Sequence, residues 1–144
     1  MFKLFRIFYI LHQKTMETKQ TGYRSKKHQQ LTKRYCQTIE LKDHPELIET
    51  YVKKHSQTEA WPEILCGIRE VGILEMELYN LGNRVFMIVE TPLDFDWDTA
   101  MKTLSGLHRQ SEWEATMSIF QKAEAGASSA EKWTLMDRIF HLYE

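Results

Sequence analysis

A tyrosine and a histidine one helical turn apart, together with two tryptophans, are the residues whose types and spacing could do acid–base chemistry. Tyr51 and His55 are four positions apart on a mostly apolar helical stripe, Trp61 opens the next predicted helix, and Trp113 begins the apolar stripe of a later one. Aromatic faces can cover the C–H side of a sugar ring, whereas an imidazole and a phenol can meet its hydroxyl groups and transfer protons. These side chains therefore indicate a candidate carbohydrate site.

A purely structural role is the alternative for the same residues. Tyrosine and tryptophan at helical spacing more often belong to a hydrophobic core than to a ligand platform, and a histidine on an apolar face is usually a hydrogen-bonded core residue. Spacing alone leaves both interpretations of His55 open.

Other kinds of chemistry have less support in the sequence. The histidines show no HxxxH or HExxH spacing, so we expect no metal site. Neither a GxGxxG motif, a phosphate-binding loop nor a GxSxG motif is present, so the commonest signatures of nucleotide-binding and acyl-transfer enzymes are missing. Carboxylates two positions apart on a helix do not face each other, and such pairs are typical of solvated charge. The histidines and carboxylate pairs concerned are His44, His55, His108 and His141, and Glu75/Glu77, Asp94/Asp96 and Glu112/Glu114.

The elements that would position the Tyr51–His55 pair begin with a strand. Residues 35–41 mix β-forming side chains and predict the first strand, and Asp43, Pro45 and Glu46 predict a capped helix that carries Tyr51 and His55. A second helix is predicted to start at Trp61-Pro62 and to end at Gly72.

The rest of the chain completes an α+β pattern. Residues 73–79 and 84–90 predict two strands joined by a short turn, with Ile73, Glu75, Glu77 and Tyr79 on one face of the first and the second strand central in its sheet. Helical spacing returns after Asp96 and again beyond Gly106, and residues 132–143 predict a last strand. The order βαββαβ favours a ferredoxin-like antiparallel sheet with its helices on one face.

The charge of the chain divides it into two parts. Residues 1–34 carry nine lysines or arginines against one glutamate, a net +8, so the near-neutral total of −1 leaves −9 on the remaining 110 residues. We expect residues 1–31 to be a basic, disordered extension and residues 32–144 to be the folded domain. The apolar start is too short for a membrane span and has no cleavage site, and two cysteines without a CxxC pair favour a reducing cytoplasm.

The sheet face without helices needs a partner. An RNA-recognition module needs stacking aromatic residues on its central strands, where residues 84–90 offer only Phe86, and the charge of −9 opposes a polyanion, so we expect no nucleic acid. Dimerisation sheet to sheet, which leaves a pocket between each sheet and its helices, is the interpretation that we favour.

Four short motifs resemble the L-rhamnose mutarotase family. They are YVKKH at residues 51–55, WPEI at 61–64, NRVFM at 83–87 and EWE at 112–114, and the resemblance covers residues 33–144. The sequence of residues 74–98 is more similar to a branch of the family associated with L-fucose.

This resemblance implies a homodimeric α+β barrel of ferredoxin-like subunits that interconverts the anomers of a monosaccharide without a cofactor. By motif, His55 matches the family's proton donor, and Tyr51 and Trp113 match sugar-binding residues. The family's second tryptophan falls on Glu114 and its second sugar-binding tyrosine on Met76, so the resemblance leaves the deoxy-hexose open between L-rhamnose and L-fucose. Trp61 is expected to provide a further aromatic face against which the sugar ring stacks. A non-enzymatic dimeric sugar-binding or interaction module is the competing hypothesis.

Overall fold

The computed structural model describes residues 22–124 and 126–143 and contains a four-stranded sheet with helices on one face. The predicted extension over residues 1–21 lies outside the described residues. In chain order the elements are β1 (Thr32–Glu40), α1 (Pro45–Lys54), α2 (Pro62–Glu70), β2 (Glu75–Leu81), β3 (Arg84–Pro92), α3 (Trp97–Ser105), α4 (Gln110–Ser118), α5 (Ser129–Lys132) and β4 (Thr134–Leu135).

The sheet confirms the ferredoxin-like prediction. Its strand order is β2-β3-β1-β4 and each neighbouring pair is antiparallel. β1 pairs with β3 along its whole length, from Thr32 opposite Pro92 to Glu40 opposite Arg84. β3 also pairs with β2, so its predicted central position is confirmed. The two-residue connection at 82–83 makes β2 and β3 a tight hairpin.

The core lies between the helices and one face of the sheet. Alternate residues of β1 and β3 point into it, and Ile39, Val85 and Val89 are almost completely buried. Ile73 departs from the prediction that it shares a strand face with Glu75, since it precedes β2 and is buried in the core. The chain turns sharply at Gly72, whose φ is +97°, and this turn directs Ile73 inward.

The starts of two helices test the capping predictions. The predicted capping box at Asp43 and Glu46 is wrong, because α1 begins at Pro45 after His44, with no side chain accepting a hydrogen bond at the cap. Proline itself favours this start, since its fixed φ suits the first helical position. The Asp96 cap of α3 is confirmed: its carboxylate accepts from the backbone N–H of Thr99 at 2.7 Å.

The last strand is much shorter than predicted. We expected it over residues 132–143, but β4 contains only Thr134 and Leu135, and Lys132 ends the short helix α5. The Met136 N–H donates to the Cys36 carbonyl, after which the chain has no regular structure up to Tyr143. Residues 139–143 have the side chains of a strand, but β propensity depends on packing against neighbours, and these side chains are exposed.

The described part of the N-terminal extension, residues 22–31, forms neither helix nor strand and contacts the outer sheet face. The ring of Tyr23 meets that of Tyr79 edge-on at 5.7 Å, and the imidazole Nε2 of His28 lies 3.1 Å from a carboxylate oxygen of Glu90.

Within residues 22–124 and 126–143, no helix has the length and apolar character that crossing a membrane requires.

Gly72 provides a test of this fold. Replacing it with alanine should lower the free energy of unfolding by about 1–2 kcal/mol, because an L side chain at a left-handed φ is strained. The matched control is Gly106→Ala at the end of α3, where φ is −93° and the added methyl has room, so stability should be unchanged or slightly raised. Urea unfolding of both variants measures the difference, and equal losses would contradict the assignment of strain to Gly72.

Candidate active site

A cavity of about 410 Å³ lies between the inner face of the sheet and the helices. Its volume is within the range usual for small-molecule sites. The structure brings all six predicted site residues to its wall, and none of the other histidines of the described chain lines it. The six residues are Tyr51, His55, Trp61, Met76, Trp113 and Glu114.

His55 is fixed at the end of α1 by a backbone hydrogen bond. Its Nδ1 lies 2.7 Å from the carbonyl oxygen of Tyr51, and since a carbonyl only accepts, Nδ1 carries the proton. Burial lowers the pKa of the His55 imidazole below its usual value, and the hydrogen bond to the carbonyl opposes only part of that effect. The imidazole is therefore neutral near pH 7, with Nε2 as its proton acceptor.

Tyr51 is neutral for the same physical reason. Its side chain is 3% exposed, and burial raises the pKa of its phenol to about 12, although the amide of Gln121 beside the hydroxyl lowers it somewhat. The Tyr51 and His55 rings lie 4.4 Å apart between centroids, which follows from their spacing of one helical turn. The hydroxyl can thus donate and accept hydrogen bonds but does not act as a phenolate.

The two tryptophans form an aromatic wall next to His55. Trp113 meets the His55 ring edge-on at 5.3 Å, and Trp61 meets Trp113 edge-on at 5.2 Å. The Arg109 guanidinium stacks 4.1 Å above the centre of the Trp61 ring, and its Nη1 lies 3.4 Å from a carboxylate oxygen of Glu63. Arg109 has a φ of 61° as it leads into α4, and its contacts tie the start of α4 to α2.

Glu114 lies on the same side of α4 as Trp113 and is already hydrogen bonded. Its Oε1 accepts from the Ser129 hydroxyl at 2.9 Å and from the Gln110 amide at 3.4 Å. Behind it, the ammonium of Lys132 donates to the Ser118 hydroxyl at 2.7 Å. Burial lowers the pKa of Lys132, and the Glu114 carboxylate opposes that shift. Glu114 is therefore a fixed acceptor at the cavity wall.

Sequence analysis missed seven polar or charged residues that also line the cavity: Gln37, Arg69, Glu75, Gln110, Gln121, Ser129 and Lys132. The helical spacing of Gln110, Trp113, Glu114 and Met117 could have placed Gln110 on the aromatic side of α4. Gln37 alternates with Tyr35 and Ile39 on β1 and could likewise have been assigned to the inner face. No signal in the sequence indicated Gln121 or Lys132.

The cavity has the chemistry of a site for a neutral polyhydroxy compound. Among the residues that the structure describes, no three His, Cys, Asp or Glu side chains lie close enough together to hold a metal ion. The wall instead presents aromatic faces, amides, the carboxylates of Glu75 and Glu114, the cationic side chains of Arg69 and Lys132, and one neutral imidazole. Such groups can hold a sugar ring and move a proton between its oxygens.

A family model and two related proteins match this chain in sequence. The family model for L-rhamnose mutarotase matches residues 34–142. An L-fucose mutarotase of Xanthomonas campestris pv. campestris is 36% identical over 111 residues, which are 77% of this chain and 89% of that protein. A UPF0734 protein of Dictyostelium discoideum is 31% identical over 114 residues, covering 76% of this chain and 90% of that protein.

A solved structure supports the fold. The crystal structure of an L-rhamnose mutarotase from Formosa agariphila superimposes with a TM-score of 0.52 at 15% identity, covering 76% of this chain and 98% of that one. The family model spans most of the described residues, including every residue of the cavity named above. The chain therefore belongs to the L-rhamnose mutarotase family and is an isomerase that interconverts the α and β anomers of a deoxy-hexose.

Proposed function

We propose that this isomerase acts on L-fucose in preference to L-rhamnose, with His55 as its proton carrier. The 36% identical relative is named for L-fucose, which supports this choice of sugar. Met76 and Glu114 line the cavity at the two positions where the family's motif has a tyrosine and a second tryptophan. Both differences change contacts to the sugar and leave the surroundings of His55 in place.

The observation that carries the proposal is the hydrogen bond between Nδ1 of His55 and the Tyr51 carbonyl. It leaves Nε2 as the ring nitrogen that can gain and lose a proton. In ring opening, Nε2 takes the proton of the anomeric hydroxyl as the C1–O5 bond breaks and C1 becomes an aldehyde. The imidazolium then delivers that proton to O5, which becomes the C5 hydroxyl.

Reclosure follows the same path in reverse after rotation about the C1–C2 bond. Nε2 takes the proton of the C5 hydroxyl as O5 attacks the other face of C1, and the imidazolium protonates O1. A single histidine is enough because O1 and O5 are both bonded to C1 in the ring. The Tyr51 hydroxyl, neutral because burial raises its pKa to about 12, is placed to donate a hydrogen bond to the oxygen that bears the developing charge.

The remaining residues hold the sugar. Trp61 and Trp113 are suited to cover the C–H face of the ring, since their own rings stand edge to face at one side of the cavity. Glu114, already held by Ser129, is suited to accept from a sugar hydroxyl rather than to move protons.

His55→Ala should abolish most of the catalysed anomer exchange of L-fucose, lowering its rate by about 10²- to 10⁴-fold, because the proton carrier is lost. Saturation-transfer NMR at the anomeric protons measures the exchange. The control is His44→Ala, since His44 precedes the same helix, is exposed and caps nothing with its side chain. Wild-type exchange in the His55 variant with an intact fold would remove His55 from the mechanism.

The pH dependence of exchange follows from the direction of the His55 pKa shift. Only neutral His55 can accept a proton, and burial places its pKa below the usual value of about 6.5. The acidic limb of catalysed kcat/KM, after subtraction of spontaneous exchange, should therefore be centred below pH 6.5. An acidic limb centred above pH 6.5 would contradict the neutral state assigned to His55.

We further propose that the enzyme is a homodimer. Four large apolar side chains at its C-terminal end are between 70% and 95% exposed, and monomers rarely leave such a group in water. The half-buried Phe86 and Ile88 on the outer face of the sheet add to the apolar surface. The four side chains are Ile139, Phe140, Leu142 and Tyr143.

Light scattering coupled to gel filtration tests the dimer. Wild-type protein should have twice the mass of the chain, and the double substitution Ile139→Asp with Phe140→Asp should convert it to a monomer. Leu93→Asp, at a separate apolar position that is 55% exposed, should remain dimeric. A monomeric wild type would contradict the proposal.

We also propose that residues 1–31 are an appendage to the catalytic domain, since none of the described residues of this segment lines the cavity. The free cysteines Cys36 and Cys66 are compatible with the cytoplasm, and that localisation stays a prediction.

A further inference from the structure

Three glutamine side chains in the cavity have buried amide oxygens without a partner. Gln37, Gln110 and Gln121 are 4%, 4% and 5% exposed, and all three line the cavity. Within the part of the chain that the structure describes, the Oε1 atom of each lacks a hydrogen-bond donor.

The three residues reach the cavity from different parts of the fold. Gln37 lies in the middle of β1, opposite Met87 of β3 and Leu135 of β4. Gln110 opens α4, and Gln121 follows it, bridging to Leu41 next to the end of β1. The three amide groups therefore line the cavity from two sides, that of the sheet and that of α4.

Stability does not explain these amides. A buried polar atom without a partner costs free energy, and proteins satisfy most of them. An apolar side chain of similar size would pack against Met87 or Met117 without that cost. Three unpaired acceptors in one cavity therefore indicate donors that are supplied from outside the protein.

We propose that the amides of Gln37, Gln110 and Gln121 bind the hydroxyl groups of the sugar and determine which deoxy-hexose the enzyme accepts. The inference rests on the proposed function and adds the specificity of the same site. Each sugar hydroxyl can donate to an amide oxygen, and the amide Nε2–H groups can donate in return.

Neutral amides suit this role next to a proton carrier. They hydrogen bond to hydroxyls without exchanging protons, so they do not compete with Nε2 of His55. Gln121 lies beside the Tyr51 hydroxyl and Gln110 beside Glu114, which places both close to residues of the proposed mechanism. Gln37 reaches the cavity from β1, and its amide oxygen has no partner among the described residues.

The three amides discriminate between deoxy-hexoses by the orientation of the hydroxyl groups on the sugar ring. L-fucose and L-rhamnose are both deoxy-hexoses, but their hydroxyls point to different sides of the ring. A sugar with an inverted hydroxyl would leave a buried amide oxygen unpaired, and sites built on such hydrogen bonds discriminate strongly for that reason. The aromatic wall of Trp61 and Trp113 cannot make this distinction, since it meets only C–H groups.

Gln37→Met tests the proposal because methionine keeps the length of the side chain and removes the amide. For L-fucose the variant should raise KM by about 10- to 100-fold with little change in kcat, the effect expected when a substrate hydrogen bond is lost. The ratio of kcat/KM for L-fucose over L-rhamnose should fall. The thermal midpoint should be unchanged or higher, because an unpaired buried oxygen has been removed.

Gln110→Met provides a second variant in a different element, and Gln30→Leu, at an exposed position before β1, is the control that should match wild type in all measurements. Unchanged KM and sugar preference in the two cavity variants would overturn the inference, as would a marked fall of the thermal midpoint in both, which would assign the amides a structural role. A wild type without anomer exchange of any deoxy-hexose would instead contradict the proposed function, so the two failures are distinguishable.

Discussion

The hydrogen bond from the imidazole of His55 to the carbonyl of Tyr51 is the interaction on which the proposed active site depends. It forms because the two residues are one turn apart where α1 ends, so the carbonyl is no longer needed within the helix. The bond fixes the tautomer and the direction of the ring, and burial then keeps the ring neutral. The tryptophan wall and the buried tyrosine supply that burial, so in the proposed mechanism they influence proton transfer without exchanging a proton themselves.

The fold and part of the site could be predicted from the sequence for different physical reasons. Strand and helix periodicity is a local property, and it placed the βαββαβ order and the Tyr51–His55 pair correctly. The predicted length of the last strand was wrong because residues 139–143 have strand-forming side chains but no packing partner. Whether such a partner exists is set by tertiary structure. The prediction of a capping box was wrong because the fixed φ of Pro45 was sufficient to start α1 without a side-chain cap.

The cavity glutamines escaped prediction because spacing can place a glutamine on an inward face but cannot show what its amide contacts. A glutamine becomes informative only when its burial and its missing partners are known, and both depend on contacts between distant parts of the chain. Leaving one such amide unpaired costs about 1–3 kcal/mol, a large fraction of the stability of a small domain. The enzyme therefore gives up stability at its cavity, as expected where a surface is shaped for a ligand rather than for packing.

The wall formed by residues 129–133 has a consequence for how the protein is made. Ser129 and Lys132 hold Glu114 and Ser118 in place, and Trp133 closes the cavity against the core, so residues 129–133 complete a cavity whose floor is the inner face of β1, β2 and β3. During synthesis, β1, β2 and β3 and their helices leave the ribosome well before this wall. The growing chain can pair β1, β2 and β3 as they emerge, but it gains a closed cavity only after residues 129–133 have been translated.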